Sequence, residues 1–141
     1  MPNLTARVST TIAAPPAEIW AALTTPATIK RYFFGADVKS DWEAGSPITF
    51  SGEFDGKPYK DKGEILEVEP EKRLAYTHFS DASGKPDKPE NYHHVTYELE
   101  PAGDQTRVSI IQDGAESEEA KAASEKNWRA VLDGLKEVVE D

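Results

Sequence analysis

From Thr5 to Ala13 the chain alternates, with Val8, Thr10 and Ile12 on one side. That period of two predicts a half-buried strand. Ala14-Pro15-Pro16 ends it, because proline cannot donate to a ladder. Pro16 suits the first turn of a following helix, where its missing N–H costs nothing. Ile19, Trp20 and Leu23 then fall at helical spacing, with Glu18 near the positive end of the dipole. Pro26 starts a second short helix, and Ile29, Tyr32 and Phe33 share one of its faces. Gly35 is the expected cap after Phe34.

A series of strands follows. Val38 to Trp42 predicts a short one. Gly45-Ser46-Pro47 turns the chain into Ile48, Phe50, Gly52 and Phe54, again with a period of two. Asp55-Gly56-Lys57-Pro58 is a hairpin signal. Residues 59–69 carry Gly63, Ile65, Leu66 and Val68, and Glu69-Pro70-Glu71-Lys72 reads as a turn. Leu74 to Phe79 is the next strand. Tyr92 to Glu100 alternates, with His94 and Thr96 on one side and Val95, Tyr97 and Leu99 on the other. Pro101-Ala102-Gly103-Asp104 turns into Thr106, Val108, Ile110 and Gln112. The connection Ser80–Asn91 is rich in Gly, Pro and charge, and connections of such length are often functional or mobile.

The one long helical stripe comes last. From about Ser117, the positions Ser124, Trp128, Val131, Leu132, Leu135, Val138 and Val139 form one face. Gly134 costs this helix roughly 1 kcal/mol against alanine, which points to close packing against the sheet. Short turns between neighbouring strands predict an antiparallel sheet. The expected architecture is α+β: a curved antiparallel sheet of about six to seven strands, two short helices, and a long C-terminal helix over a cavity. Residues 1–141 make one domain, large enough to bury a core without staples.

The chain carries a formal charge of -10, which disfavours nucleic acid and acidic membrane surfaces. It has no cysteine, so disulfides, thiolate chemistry and Cys-ligated zinc are excluded. The N-terminal residues show no basic region followed by an apolar run, and no apolar run approaches the roughly 20 residues of a membrane span. The expected location is the cytoplasm.

Particular residues resemble a known family. They are Ala14-Pro15-Pro16 with Ile19-Trp20-Ala21-Ala22-Leu23, Thr25-Pro26, Trp42 with Gly45, Gly63-Glu64-Ile65, Glu69-Pro70, Leu74-Ala75-Tyr76-Thr77, and Asn127-Trp128 with Leu132 and Leu135. On these the chain resembles the START-like (SRPBCC, helix-grip) superfamily. More narrowly, it is similar to the family named for the C-terminal domain of the activator of the heat-shock protein 90 ATPase. The resemblance implies the helix-grip fold over nearly the whole chain. The eukaryotic co-chaperone of that family carries a separate N-terminal domain that makes a major contact with the chaperone. This chain begins at the first strand of the START-like part, so chaperone activation is not expected of it.

The aromatics Tyr32, Phe33, Phe34, Trp42, Phe50, Phe54, Tyr76, Tyr97 and Trp128 are candidates for a cavity lining, against the plainer reading of core packing. Tyrosine hydroxyls inside would supply the few polar groups typical of a ligand site. His93 and His94 are adjacent on a strand and point to opposite faces, so they cannot share a metal. His78 and His94 could both face inward if their strands pair in register. Gln112 continues the inward parity of Val108 and Ile110, either tying the sheet to the helix or facing a pocket. The many carboxylates form no evident pair, and neither a nucleophile elbow nor a phosphate loop occurs.

The leading expectation is a domain that binds a hydrophobic small molecule. Its ligand contacts would be Tyr32, Phe34, Phe50, Tyr76, His78, His94, Tyr97, Trp128 and Leu132. No catalytic set, metal or cofactor is expected. The alternatives are a cyclase- or aromatase-like enzyme using His78, His94 or Tyr76 as acid–base groups, and a protein-interaction module, chaperone-associated or homodimeric.

Overall fold

The computed structural model describes residues 4–54, 56–80, 86–88 and 91–140. Strand β1 (Leu4–Ile12) is followed by helices α1 (Pro16–Thr24) and α2 (Pro26–Tyr32). Strands β2 (Asp37–Ser40), β3 (Pro47–Phe54), β4 (Lys57–Glu69), β5 (Arg73–Ser80), β6 (His93–Ala102) and β7 (Gln105–Ala115) follow, and α3 (Glu118–Glu140) ends the chain. The strands form one seven-stranded antiparallel sheet in the order β1-β7-β6-β5-β4-β3-β2. This is the helix-grip α+β architecture. The Ser80–Asn91 connection lies mostly outside the described residues, as does the side chain of Phe54.

Prolines set the two short helices. Pro16 and Pro26 each stand in a first turn, and neither helix has a side-chain N-cap. Ile19, Ala22 and Leu23 of α1 and Ile29 and Tyr32 of α2 are buried. The helices share the work of covering the sheet. α3 packs mainly on β1 and β7, while α2 packs on β2 and on α3. Gly134 serves the second of these contacts. A Cβ there would stand 3.0 Å from the Tyr32 Cβ, so the glycine admits α2 rather than the sheet.

Val131, Leu132 and Leu135 seal the C-terminal half of α3 against the core, with Ile12, Val108 and Ile110 in the same cluster. The same helix guards the free edge of β1. Glu125 accepts the Arg7 N–H at 3.1 Å, and Glu140 accepts the Ala13 N–H at 2.7 Å. Arg129 donates to the Ser9 carbonyl and Lys136 to the Thr11 carbonyl, both at 2.7 Å. Outward backbone groups of an edge strand invite pairing with another chain, and here charged side chains occupy four of them.

Candidate functional site

Residues that face each other across an antiparallel ladder share a face of the sheet. The register pairs Val38 with Phe50, Phe50 with Asp61, Ile65 with Tyr76, Tyr76 with Val95 and Tyr97 with Ile110. These positions line the concave face. At its centre five rings form a closed circuit. Phe33 stacks on Phe50 at 5.7 Å, Phe50 meets Tyr76 at 5.7 Å, and Tyr76 meets Tyr97 edge-on at 5.8 Å. Tyr97 meets Trp128 at 6.0 Å, and Trp128 returns to Phe33 at 5.7 Å. Such offset and edge contacts each contribute about 0.5–1.5 kcal/mol beyond area burial.

The circuit is almost full. Beside it lies a cavity of about 10 Å³ bordered by Tyr32, Phe33, Trp42, Phe50, Tyr76 and Tyr97, with Leu23, Ile29, Val38, Ile48 and Leu74 completing the wall. That is room for about one water molecule. A larger open groove of about 680 Å³ lies outside, between α2 and the β2 edge, lined by residues such as Lys30, Lys39, Asp41 and Thr49.

Polar groups inside the circuit are paired in specific ways. The Tyr76 and Tyr97 hydroxyls are 2.9 Å apart, and the Tyr32 hydroxyl donates to the Ala22 carbonyl at 2.9 Å. Burial pushes all three phenols above their ordinary pKa, so they remain protonated donors at neutral pH. The Trp128 indole N–H donates to Gln112 at 2.7 Å, so this amide ties sheet to helix. Beyond Phe50 the lining turns polar and half-open. His78 stands edge-on to Phe50 at 5.5 Å, and its Nε2 is 3.1 Å from the Asp61 carboxylate.

The structure brings together Tyr32, Phe50, Tyr76, His78, Tyr97 and Trp128 on or beside the concave face, whereas the expected contact Leu132 lies apart from the cavity wall, in the closely packed cluster with Val131 and Leu135. Two further expected positions differ. His94 faces the convex side with its side chain 58% exposed, bound to Asp113 through its backbone N–H at 2.7 Å and its ring at 3.1 Å. The register sets His93, not His94, opposite His78, and His93 binds the Asp113 carbonyl at 2.9 Å. Phe34 is 63% exposed, because the chain leaves α2 at Phe33 and takes a left-handed turn at Phe34 (φ 53°). Phe33 fills the inner place that Phe34 was expected to hold. Asp61 joins the concave face beyond the expected set, and its signal in the sequence is the inward parity it shares with Ile65 on β4. Among the described residues there is no cluster of three or more His, Cys, Asp or Glu fit for a metal. No helix among them is long and apolar enough to cross a membrane.

Solved structures share this fold. The solution structure of ChR145 from Cytophaga hutchinsonii is 47% identical, with a TM-score of 0.84, covering 95% of this chain and 92% of that one. Protein MLL2253 from Mesorhizobium loti is 26% identical over 96% of each chain, with a TM-score of 0.77. The Aha1 dimer from Colwellia psychrerythraea is 24% identical over 99% of this chain and 97% of that one, with a TM-score of 0.72, a likeness of fold. No curated protein matches the chain. The family described as Activator of Hsp90 ATPase homolog 1-like protein matches residues 13–140. Its match spans the helices, β2 to β7 and therefore the whole aromatic circuit, and the chain belongs to that family.

Proposed function

We propose that this chain binds a small, largely apolar molecule bearing a hydrogen-bond acceptor, lodged in the aromatic circuit. The observation that carries this reading is the Tyr76–Tyr97 pair. Two hydroxyls bring two protons, and the bond between them uses one. The second O–H has no acceptor among the described protein groups, in a wall of apolar and aromatic side chains beside the residual cavity. A pair of phenylalanines would pack as well there without a buried donor to satisfy. A carbonyl or ether oxygen on a ligand satisfies it.

Ligand sites usually measure about 300–1,000 Å³, so the circuit must open. Phe33 is the movable ring. It caps α2 outside the helix and is only partly buried, and Phe34 and Gly35 after it both have positive φ. Swinging Phe33 outward opens the circuit between Phe50 and Trp128.

The test is titration with Prodan, a neutral naphthyl ketone whose emission reports polarity. The expected result is saturable binding at one site per chain, with quenching of tryptophan fluorescence. Tyr97→Phe should weaken it by roughly 2- to 10-fold, the usual net worth of a neutral hydrogen bond, while the fold survives. Absence of saturable binding would refute the reading.

Self-association is the second reading. Phe34 stands exposed just ahead of the edge strand β2, and the Colwellia protein of the same fold is a dimer. A sedimentation series that stays monomeric up to about 100 μM, a concentration at which a 1 μM dimer would be nearly complete, removes it.

A further inference from the structure

We propose that Asp61, held in place by His78, reads a hydroxyl group on the bound molecule, so that the ligand is an alcohol or phenol on an apolar frame. This inference rests on the binding reading above and adds the chemistry of the ligand's second polar group.

Asp61 sits on β4 in register with Phe50 of β3 and Ser80 of β5, on the concave face. Its side chain is 16% exposed, which is unusual for a carboxylate without an arginine or lysine partner. One oxygen, Oδ2, takes the His78 Nε2 proton at 3.1 Å. The other, Oδ1, is buried and has no partner, and it is the one buried side-chain nitrogen or oxygen in that condition among the described residues. Buried polar atoms are nearly always bonded, so an orphaned carboxylate oxygen marks a missing donor.

The neighbours do not supply that donor. Ser80, directly across the ladder, shows no bond to Asp61. His93 commits its Nδ1 to the Asp113 carbonyl. Lys62, next in sequence, points to Asp87. Meanwhile the carboxylate is well fixed. His78 bonds to one oxygen, and the Phe50 ring packs edge-on against the imidazole at an angle of 70°. Phe50 also touches Tyr76 and is the register partner of Asp61, so its ring lies between the Asp61–His78 pair and the hydroxyl pair with its spare donor. A molecule lying along Phe50 meets an O–H at one end and a bare carboxylate oxygen at the other. That combination selects a ligand with an acceptor and a hydroxyl on opposite sides of a ring system. Asp61 accepts a hydrogen bond in this scheme, and no covalent step is involved.

The experiment compares 2-naphthol with 2-methoxynaphthalene, two neutral molecules of one frame that differ in a single donor. Both are titrated by fluorescence into the full chain and into Asp61→Asn. The full chain should bind 2-naphthol at least roughly tenfold more tightly, as expected for a hydrogen bond to a charged acceptor. In Asp61→Asn the preference should shrink to within about twofold while 2-methoxynaphthalene binding persists. Equal affinity of the full chain for the two compounds overturns the inference without needing any variant, and leaves the apolar chamber standing. A preference that survives in a folded Asp61→Asn, verified by its circular dichroism, also overturns it. If the full chain binds neither naphthalene, the chamber itself fails and the hydroxyl reader falls with it.

Discussion

The two halves of α3 make opposite contributions. From Val131 onward the helix buries Val131, Leu132 and Leu135 completely, in the apolar cluster shared with β1 and β7. From Ser124 to Trp128 the inward positions are only half buried, and Trp128 meets Gln112 and the aromatic circuit. The inward positions of one half are apolar and closely packed; those of the other stand beside the Gln112 amide and the tyrosine pair. The difference teaches where the packing is complete and where it is not. The sealed half anchors the helix on β1 and β7, and the half-open half is where the proposed ligand chamber borders it.

The comparison can be broken most severely at Gly63. It lies at the polar end, yet a Cβ there would stand 1.6 Å from the Thr77 carbonyl oxygen, a backbone atom that cannot rotate away. Gly63→Ala should cost more than about 3 kcal/mol, the upper range for overpacking, and urea denaturation will measure it. A loss below about 1 kcal/mol would mean that β4 and β5 can part freely. Leu132→Ala, at the sealed half, should cost about 3 kcal/mol by cavity formation. In this variant Prodan affinity should change little if folding is retained, which separates the two halves by experiment.

Trp128→Phe is a smaller change. It keeps a ring in the circuit but removes the N–H donated to Gln112, so a loss of about 1 kcal/mol in denaturation is expected. Glu140→Gln should have the smallest effect, visible in its pH dependence. The Lys136 hydrogen bond, then the Ala13 N–H, holds the Glu140 carboxyl below its ordinary pKa. A depressed carboxylate stabilises the fold above its unfolded pKa, and that stabilisation fades as pH falls through the folded value. Thermal melts of the natural chain should therefore lose slightly more between about pH 5 and pH 3 than melts of Glu140→Gln. Identical acid profiles would show that this clamp adds nothing.

Much of the fold was legible because each strand advertises its period. Val8 and Ile12, Val95 and Tyr97, and Val108 and Ile110 mark the buried face before any pairing is known, and Pro16 and Pro26 mark the helix starts. Tyr76 and Tyr97 follow from the same parity. His93 was equally available, since it shares a face with Val95 and Tyr97, while His94 shares one with Thr96. Parity within the strand, rather than cross-strand reach, decides which of the two faces His78. Phe34 was not legible: one residue of left-handed backbone after α2 decides whether Phe33 or Phe34 enters the core, and helical spacing runs out at that point. The size of the interior space was also beyond the sequence, because it depends on how five rings interlock rather than on which residues point inward.

The four charged contacts that α3 makes along β1 bear on how copies of this chain can meet. With that margin taken by Glu125, Arg129, Lys136 and Glu140, the other margin is the four-residue β2, along which no such row of charged contacts to the backbone occurs among the described residues. A particle with two open margins can propagate into a fibre, whereas a particle with one can only close on its twin around a two-fold axis. Association through strand edges would then stop at a pair, with the long helix acting as a chain terminator.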